Sequence, residues 1–98
     1  MKRIRFSRSA VSDLDEIWMY AAERDGVDAA ERLIEWLTRR MGFLSRHPMG
    51  GVARTDLGVA IRSLVIRPFR VYYRLDKDLV RIVHVRHSAQ DERALIQS

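Results

Sequence analysis

Polar and apolar residues alternate from Arg3 to Ser7, which predicts a short strand with Ile4 and Phe6 turned inward. The period then lengthens. Ala10, Leu14, Ile17, Trp18 and Ala21 recur every three or four residues, the spacing of one apolar stripe on a helix from about Ser9 to Arg24. Ser9 or Ser12 can cap this helix, and Asp13, Asp15 and Glu16 suit the partial positive charge at its start. Asp25-Gly26 stops it. A second helix follows almost at once, with Asp28 and Glu31 at capping-box spacing and a stripe of Ala30, Leu33, Ile34, Leu37, Met41 and Leu44. Trp36 and Phe43 either widen that stripe or form a second apolar patch. Arg39, Arg40 and Arg46 suit the negative pole of this helix, and Pro48 ends it after His47. So short a joint between two helices predicts an antiparallel hairpin.

The segment Met49 to Gly58 bears glycines and no clear period. Beyond it the period returns to two, and Ile61 to Arg67 reads as a strand. Arg67-Pro68 breaks it. Phe69 to Leu75 is the next strand, Asp76-Lys77-Asp78 a turn, and Leu79 to Arg86 a third strand, so an antiparallel meander is expected. Ser88-Ala89-Gln90-Asp91 can cap a short closing helix that includes Ala94, Leu95 and Ile96. The order is β-α-α-β-β-β with a short terminal helix. This is an α+β fold in one domain over 1–98, its helical hairpin packed on one face of a small, mainly antiparallel sheet. The first strand joins that sheet at an edge or at its centre.

A one-sided cover leaves the other sheet face open. On the middle strand Phe69, Val71, Tyr73 and Leu75 share one face, and Arg70, Tyr72 and Arg74 the opposite one, which is expected to be exposed and anion-seeking. On the last strand Val80, Ile82, His84 and Arg86 alternate with Arg81, Val83, Val85 and His87. Apolar residues in both sets predict a central strand, partly covered on both sides.

Composition narrows the function classes. With 47% hydrophobic and 32% charged residues the chain does not read as disordered or fibrous. It has no cysteine, which excludes a disulfide scaffold, a thiolate metal site and a cysteine nucleophile. No apolar run approaches the roughly 20 residues that cross a membrane, and no apolar segment follows the basic start, so a cytoplasmic domain is expected.

The net charge of +5 comes almost wholly from arginine, since Lys2 and Lys77 are the only lysines. Acidic residues crowd the first half. From Gly58 to Leu75 there are none, while Arg62, Arg67, Arg70 and Arg74 are present. An arginine fork donates in pairs to phosphate and to carboxylate. Where this charge is more than an ordinary solvated surface, it points to a nucleic acid or an acidic protein as partner.

Candidate chemistry is sparse. His84 and His87, three apart on a strand, point to opposite faces, and His47 is remote, so no metal and no cofactor is expected. Gly50-Gly51 and Gly58 lack the spacing of a phosphate loop. The acids of the first helix read as solvated surface. An acid–base ribonuclease is the one enzymatic candidate: Arg62, Arg70, Arg74, Arg86, His84, His87, Tyr72 and Tyr73 supply a base, an acid and positive charge on neighbouring strands. Of the two tyrosines, Tyr73 reads as a core ring and Tyr72 as a contact residue.

A wider pattern joins these pieces. Ala10…Asp13-Leu14…Glu16-Ile17…Tyr20 is followed by Ala30, Leu44…His47-Pro48…Gly50-Gly51, then Arg54…Asp56-Leu57-Gly58…Ile61-Arg62. Phe69-Arg70-Val71-Tyr72-Tyr73-Arg74 and the closing Ile82-Val83-His84-Val85-Arg86-His87-Ser88-Ala89-Gln90-Asp91 complete it. In order and spacing this resembles the RelE/ParE toxin superfamily of bacterial type II toxin–antitoxin systems, nearly end to end. No tyrosine follows Tyr73, and only Arg54, beside Asp56, stands where a basic pair is common. Those departures, with the His87…Asp91 ending, resemble the ParE-type branch.

That resemblance implies a toxin that poisons DNA gyrase by stabilising its cleaved DNA complex. It also implies neutralisation by a cognate, ParD-like antitoxin in a hetero-oligomer. Target or antitoxin contacts are then expected at Arg62, Arg70, Tyr72, Arg74, Arg86 and His87, with Trp36 and Phe43 as apolar anchors. The other branch implies a ribosome-dependent mRNA endonuclease with Arg62, Arg86, His84 and His87 as its catalytic set. An attenuated member acting mainly in antitoxin binding is the third possibility.

Overall fold

The computed structural model describes residues 1–87. In chain order these form β1 (Arg3–Phe6), α1 (Arg8–Asp25), α2 (Val27–Met41), a single turn α3 (Phe43–Arg46), β2 (Val52–Ala53), β3 (Ile61–Ile66), β4 (Phe69–Asp76) and β5 (Leu79–His87). The expected closing helix lies outside the described residues. The strands make one sheet in the order β1-β5-β4-β3-β2. β1 runs parallel to β5 at one edge, and the other neighbours are antiparallel. The α+β architecture, the helical hairpin and the meander are as expected, and β5 is internal.

The core lies between the hairpin and one sheet face. Ala10, Leu37, Met41 and Leu44 from the helices meet Ile66, Phe69, Val71, Tyr73, Val80, Ile82 and Val85 from the sheet. Ile4 packs against this cluster. Phe6 shares the face of Ile4, opposite Ile82, but at the end of β1 it keeps 37% of its surface in water.

The helix boundaries differ from expectation for local reasons. Ser7, rather than Ser9 or Ser12, caps α1, its hydroxyl accepting from the Ala10 N–H at 3.0 Å. The chain therefore turns from β1 straight into helix. The second helix starts at Val27 with no side-chain cap, so Asp28 lies within its first turn and does not cap it. Gly26, at φ 95° and ψ 163°, makes the one-residue joint. That conformation is open to glycine and strained for other residues. The apolar stripe expected to run through Leu44 is split at Gly42 into α2 and α3. The segment read as irregular also holds the short edge strand β2, paired with Arg62 and Ser63.

β5 contains a bulge. Tyr72 lies opposite His84 but Tyr73 lies opposite Ile82, so Val83 is the extra residue. Face alternation is reset there. Val80 and Ile82 face the core, and beyond the bulge Val85 does so, with His87 on the same side. His84 and Arg86 therefore share the opposite face with Arg81, which simple alternation does not anticipate.

Candidate functional site

The bulge is held from α1. β1 ends at Phe6, opposite Ile82, and leaves the outer edge of β5 without a strand partner from Val83 onward. Ser7 and Asp13 fill that edge. The Ser7 N–H donates to the Ile82 carbonyl at 2.9 Å and its hydroxyl to the Val83 carbonyl at 2.8 Å. Asp13 Oδ2 accepts from the Val85 N–H at 2.9 Å and lies 3.0 Å from His84 Nδ1, with Arg86 at 3.8 Å from the other oxygen. Asp13 is 6% and His84 5% exposed, so this is a buried carboxylate–imidazole pair. Sequence reasoning placed Asp13 on solvated helix surface. The signal that could have located the bulge is the change of apolar parity in β5, from 80 and 82 to 83 and 85.

A second set of buried bonds fixes the loop before β2. The Tyr73 hydroxyl donates to the Pro48 carbonyl at 2.8 Å and accepts from the Gly51 N–H at 2.9 Å. Arg62 reaches the same loop, donating to the Gly51 carbonyl at 2.8 Å and to that of Met49 at 3.2 Å. Gly51 is required there, since an added Cβ would lie 2.6 Å from the Ser63 carbonyl and 2.8 Å from the Tyr73 ring. On the same connection Arg54 forks onto Asp56 at 2.9 and 3.1 Å, and this hydrogen bond holds the Asp56 carboxyl below the usual carboxylate range.

On the sheet face away from the helices, three rows cross the strands. Arg5, Arg81 and Arg74 share one register over β1, β5 and β4. Ser63, Tyr72 and His84 form the next row, and all three are buried. Arg70 and Arg86 lie opposite one another in the third. The expected open face of Arg70, Tyr72 and Arg74 is therefore not uniform. Arg74 is exposed and Arg70 half-buried, but Tyr72, at 3% exposed, is not the accessible contact residue that alternation suggested. His87 is exposed and sits edge-on to Phe69, the rings 6.0 Å apart.

The concavity with the largest apolar lining is elsewhere. A groove of about 640 Å³ runs between α1 and the neighbouring ends of β4 and β5. Ile17, Tyr20, Ala21, Leu33, Phe69 and Val85 give it an apolar floor, and Glu16, Arg24, Asp25 and Arg86 stand among its polar residues. Beside it, a second depression of about 410 Å³ holds Trp36, Arg40, Phe43, Ile66 and Arg67. Leu33 and Trp36, one turn apart on α2, and the turn from Ile66 to Phe69 connect the two. Trp36 is half-buried against the core with the Arg40 guanidinium 5.6 Å from its ring, whereas Phe43 is 47% exposed and stacks on His47. The anchor residues are thus brought onto one track. Its larger half was not foreseen, because its floor combines α1, α2 and strand ends distant in sequence.

Among the described residues no helix is long and apolar enough to cross a membrane, and no cluster of histidine and acidic residues could hold a metal ion.

Comparison with known proteins agrees with this geometry. Toxin ParE1 of Caulobacter vibrioides is 33% identical over 94 residues, which is 96% of this chain and 97% of that protein. Toxin ParE3 of the same organism is 29% identical, over 87% of this chain and 85% of its own. The toxin fold recurs in the chromosomal ParDE system of P. aeruginosa, with a TM-score of 0.78 at 20% identity, covering 89% of this chain and 96% of that one. It recurs also in the RelBE2 toxin–antitoxin complex of Mycobacterium tuberculosis, with a TM-score of 0.66 at 25% identity over 88% and 96% of the two chains. Residues 4–92 match the family described as the ParE toxin of the type II toxin–antitoxin system parDE, and the chain belongs to that family.

Proposed function

We propose that this toxin poisons DNA gyrase by stabilising the enzyme's cleaved DNA complex. We propose further that an antitoxin tail neutralises it by lying along the track from Tyr20 and Leu33 to Trp36 and Phe43. The observation that carries the first part is the use to which three of the candidate acid–base residues are put, which leaves His87 as the exposed histidine among them. Arg62 is tied to the carbonyls of Met49 and Gly51, His84 is buried against Asp13, and Tyr73 is bonded to Pro48 and Gly51. RNA cleavage needs a base and an acid that reach the 2′-hydroxyl and the leaving oxygen. Those side chains instead hold the β5 bulge and the β2 loop in place. A binder needs no such pair. It acts through surface, and its victim supplies the chemistry.

The track suits a segment that folds as it binds. Apolar anchors offset the entropy lost on ordering. The Trp36 depression adds Arg40 and Arg67 with no acid and favours an acidic stretch there, whereas the larger groove sets Arg24 and Arg86 against Asp13, Glu16 and Asp25 and binds mainly through its apolar floor. The toxin and antitoxin then form a hetero-oligomer in the cytoplasm.

The test has two arms. Purified toxin is added to gyrase with supercoiled DNA, and separately to translating ribosomes with mRNA. Linear DNA covalently attached to gyrase is the expected product. Cleavage of mRNA at the ribosomal A site, with gyrase unaffected, would overturn the proposal.

A further inference from the structure

The row Arg5–Arg81–Arg74 breaks a rule that sheets ordinarily keep. Like charges directly opposite one another on adjacent strands are destabilising. Here three guanidinium-bearing positions share one register across β1, β5 and β4, strands that lie about 4.8 Å apart. Only part of this repulsion is relieved within the fold. Arg81 donates to Asp76 at 2.9 Å. Arg5 and Arg74 are exposed and make no ion pair among the described residues. Arg3, also exposed, lies two residues before Arg5 and extends the same face. A local rule broken with only partial internal compensation is where an external ligand is to be sought.

We infer that this row is a docking surface for the phosphate backbone of duplex DNA, so that the toxin itself touches DNA. Two observations select that partner. First, the row itself carries no exposed large apolar residue on β5, β4 or β3: Ile61 and Leu79 are half-buried and Ser63 beside it is buried, while the exposed Val52 and Val65 of this face lie on β2 and at the far end of β3, away from Arg5 and Arg81. A disordered acidic peptide would find charge there without anchors, whereas a pre-ordered polyanion needs none. Second, single-stranded nucleic acid is gripped by stacking bases on exposed rings. The aromatic residue on this face is Tyr72, and it is buried. The inference goes beyond the gyrase reading and does not depend on it. A toxin could poison gyrase without touching DNA, or touch DNA without poisoning gyrase.

The experiment is fluorescence anisotropy of a labelled ~20-base-pair duplex of arbitrary sequence with the full-length toxin, titrated across salt concentrations. Each phosphate contact contributes about −0.9 to the slope of log K against log salt, so the row predicts a slope near −2.7. R5Q/R74Q should lower its magnitude by about 1.8, and R5K/R74K should restore most of it. In circular dichroism R5K/R74K should melt like the parent and R5Q/R74Q at or slightly above it, since it removes two like charges from the row and no core contact. Three results would overturn the inference. One is duplex binding with no salt dependence or no binding at all. Another is an unchanged slope in R5Q/R74Q. The third is tighter, equally arginine-dependent binding of single-stranded RNA. Loss of antitoxin capture in R5Q/R74Q with duplex binding intact would assign the row to the antitoxin instead.

Discussion

At the scale of single residues, Asp13 and Tyr73 show how this small chain keeps two irregular backbone segments in register. A buried carboxylate loses its hydration and must recover it from donors. Asp13 does so from the Val85 N–H, which the end of β1 leaves without a strand partner, and from the His84 imidazole, at 2.9 and 3.0 Å. Removing the carboxylate strands a buried N–H and a buried imidazole together. Asp13→Ala is expected to lower unfolding stability by about 3 kcal/mol, read as a drop in urea midpoint at unchanged m-value. A loss below about 1 kcal/mol would show that water replaces the carboxylate and that the pair is not what holds the bulge. Tyr73→Phe removes one donor and one acceptor but keeps the ring, so its expected effect is smaller, about 1–2 kcal/mol, and accompanied by freer exchange of the Gly51 amide. Neither role was legible from sequence. Asp13 stands at a helix position where most carboxylates are solvated, and its partners are 71 and 72 residues away.

At the scale of elements, periodicity identified both long helices and all three strands of the meander, because each buries one face against the same core. It went wrong where a backbone group, rather than a side chain, decides. Ser7 caps α1 because β1 must end there to clear the bulge. β2 is two residues of pairing with too little pattern to read. The break at Gly42 follows from the chain's need to turn Leu44 into the core below Met41. The bulge at Val83 swaps the faces of everything after it, which is why the arginine face could be read by type but not by row. Glycine carries the sharpest local test. Gly26 sits at φ 95° and ψ 163° with open space around it, so Gly26→Ala isolates backbone strain from packing. It should cost about 1–3 kcal/mol. Gly51→Ala instead meets the Ser63 carbonyl and the Tyr73 ring, and should move both the loop and the tyrosine bonds. If the two variants lose equal stability while the Gly51 variant keeps the loop intact, close approach is not what fixes glycine at Gly51.

At the scale of the whole molecule, the apolar and the basic surfaces lie on different sides of the sheet, and this separation can be tested without knowing either partner's structure. The track lies on the helix side, where Tyr20 is 63% and Phe43 47% exposed, one in each depression. Truncating either removes contact area but little core, so Tyr20→Ala and Phe43→Ala should leave the melting temperature nearly unchanged. Each should weaken antitoxin binding about tenfold or more if it anchors the tail. The double variant discriminates further. If one segment spans both depressions, the residues are distant and share no contact, so the two losses should add in free energy. If two separate segments or two antitoxin chains fill them, the double variant should split the isotherm into distinct phases. Salt supplies the remaining contrast. Binding anchored by Tyr20 and Phe43 should persist as ionic strength rises, because apolar burial is not screened, whereas any function of the arginine row should fade over the same range. Should antitoxin affinity instead fall with salt as steeply as duplex binding does, the arginines and not the aromatic rings would carry the antitoxin, and the division of labour between the two sheet faces would be refuted.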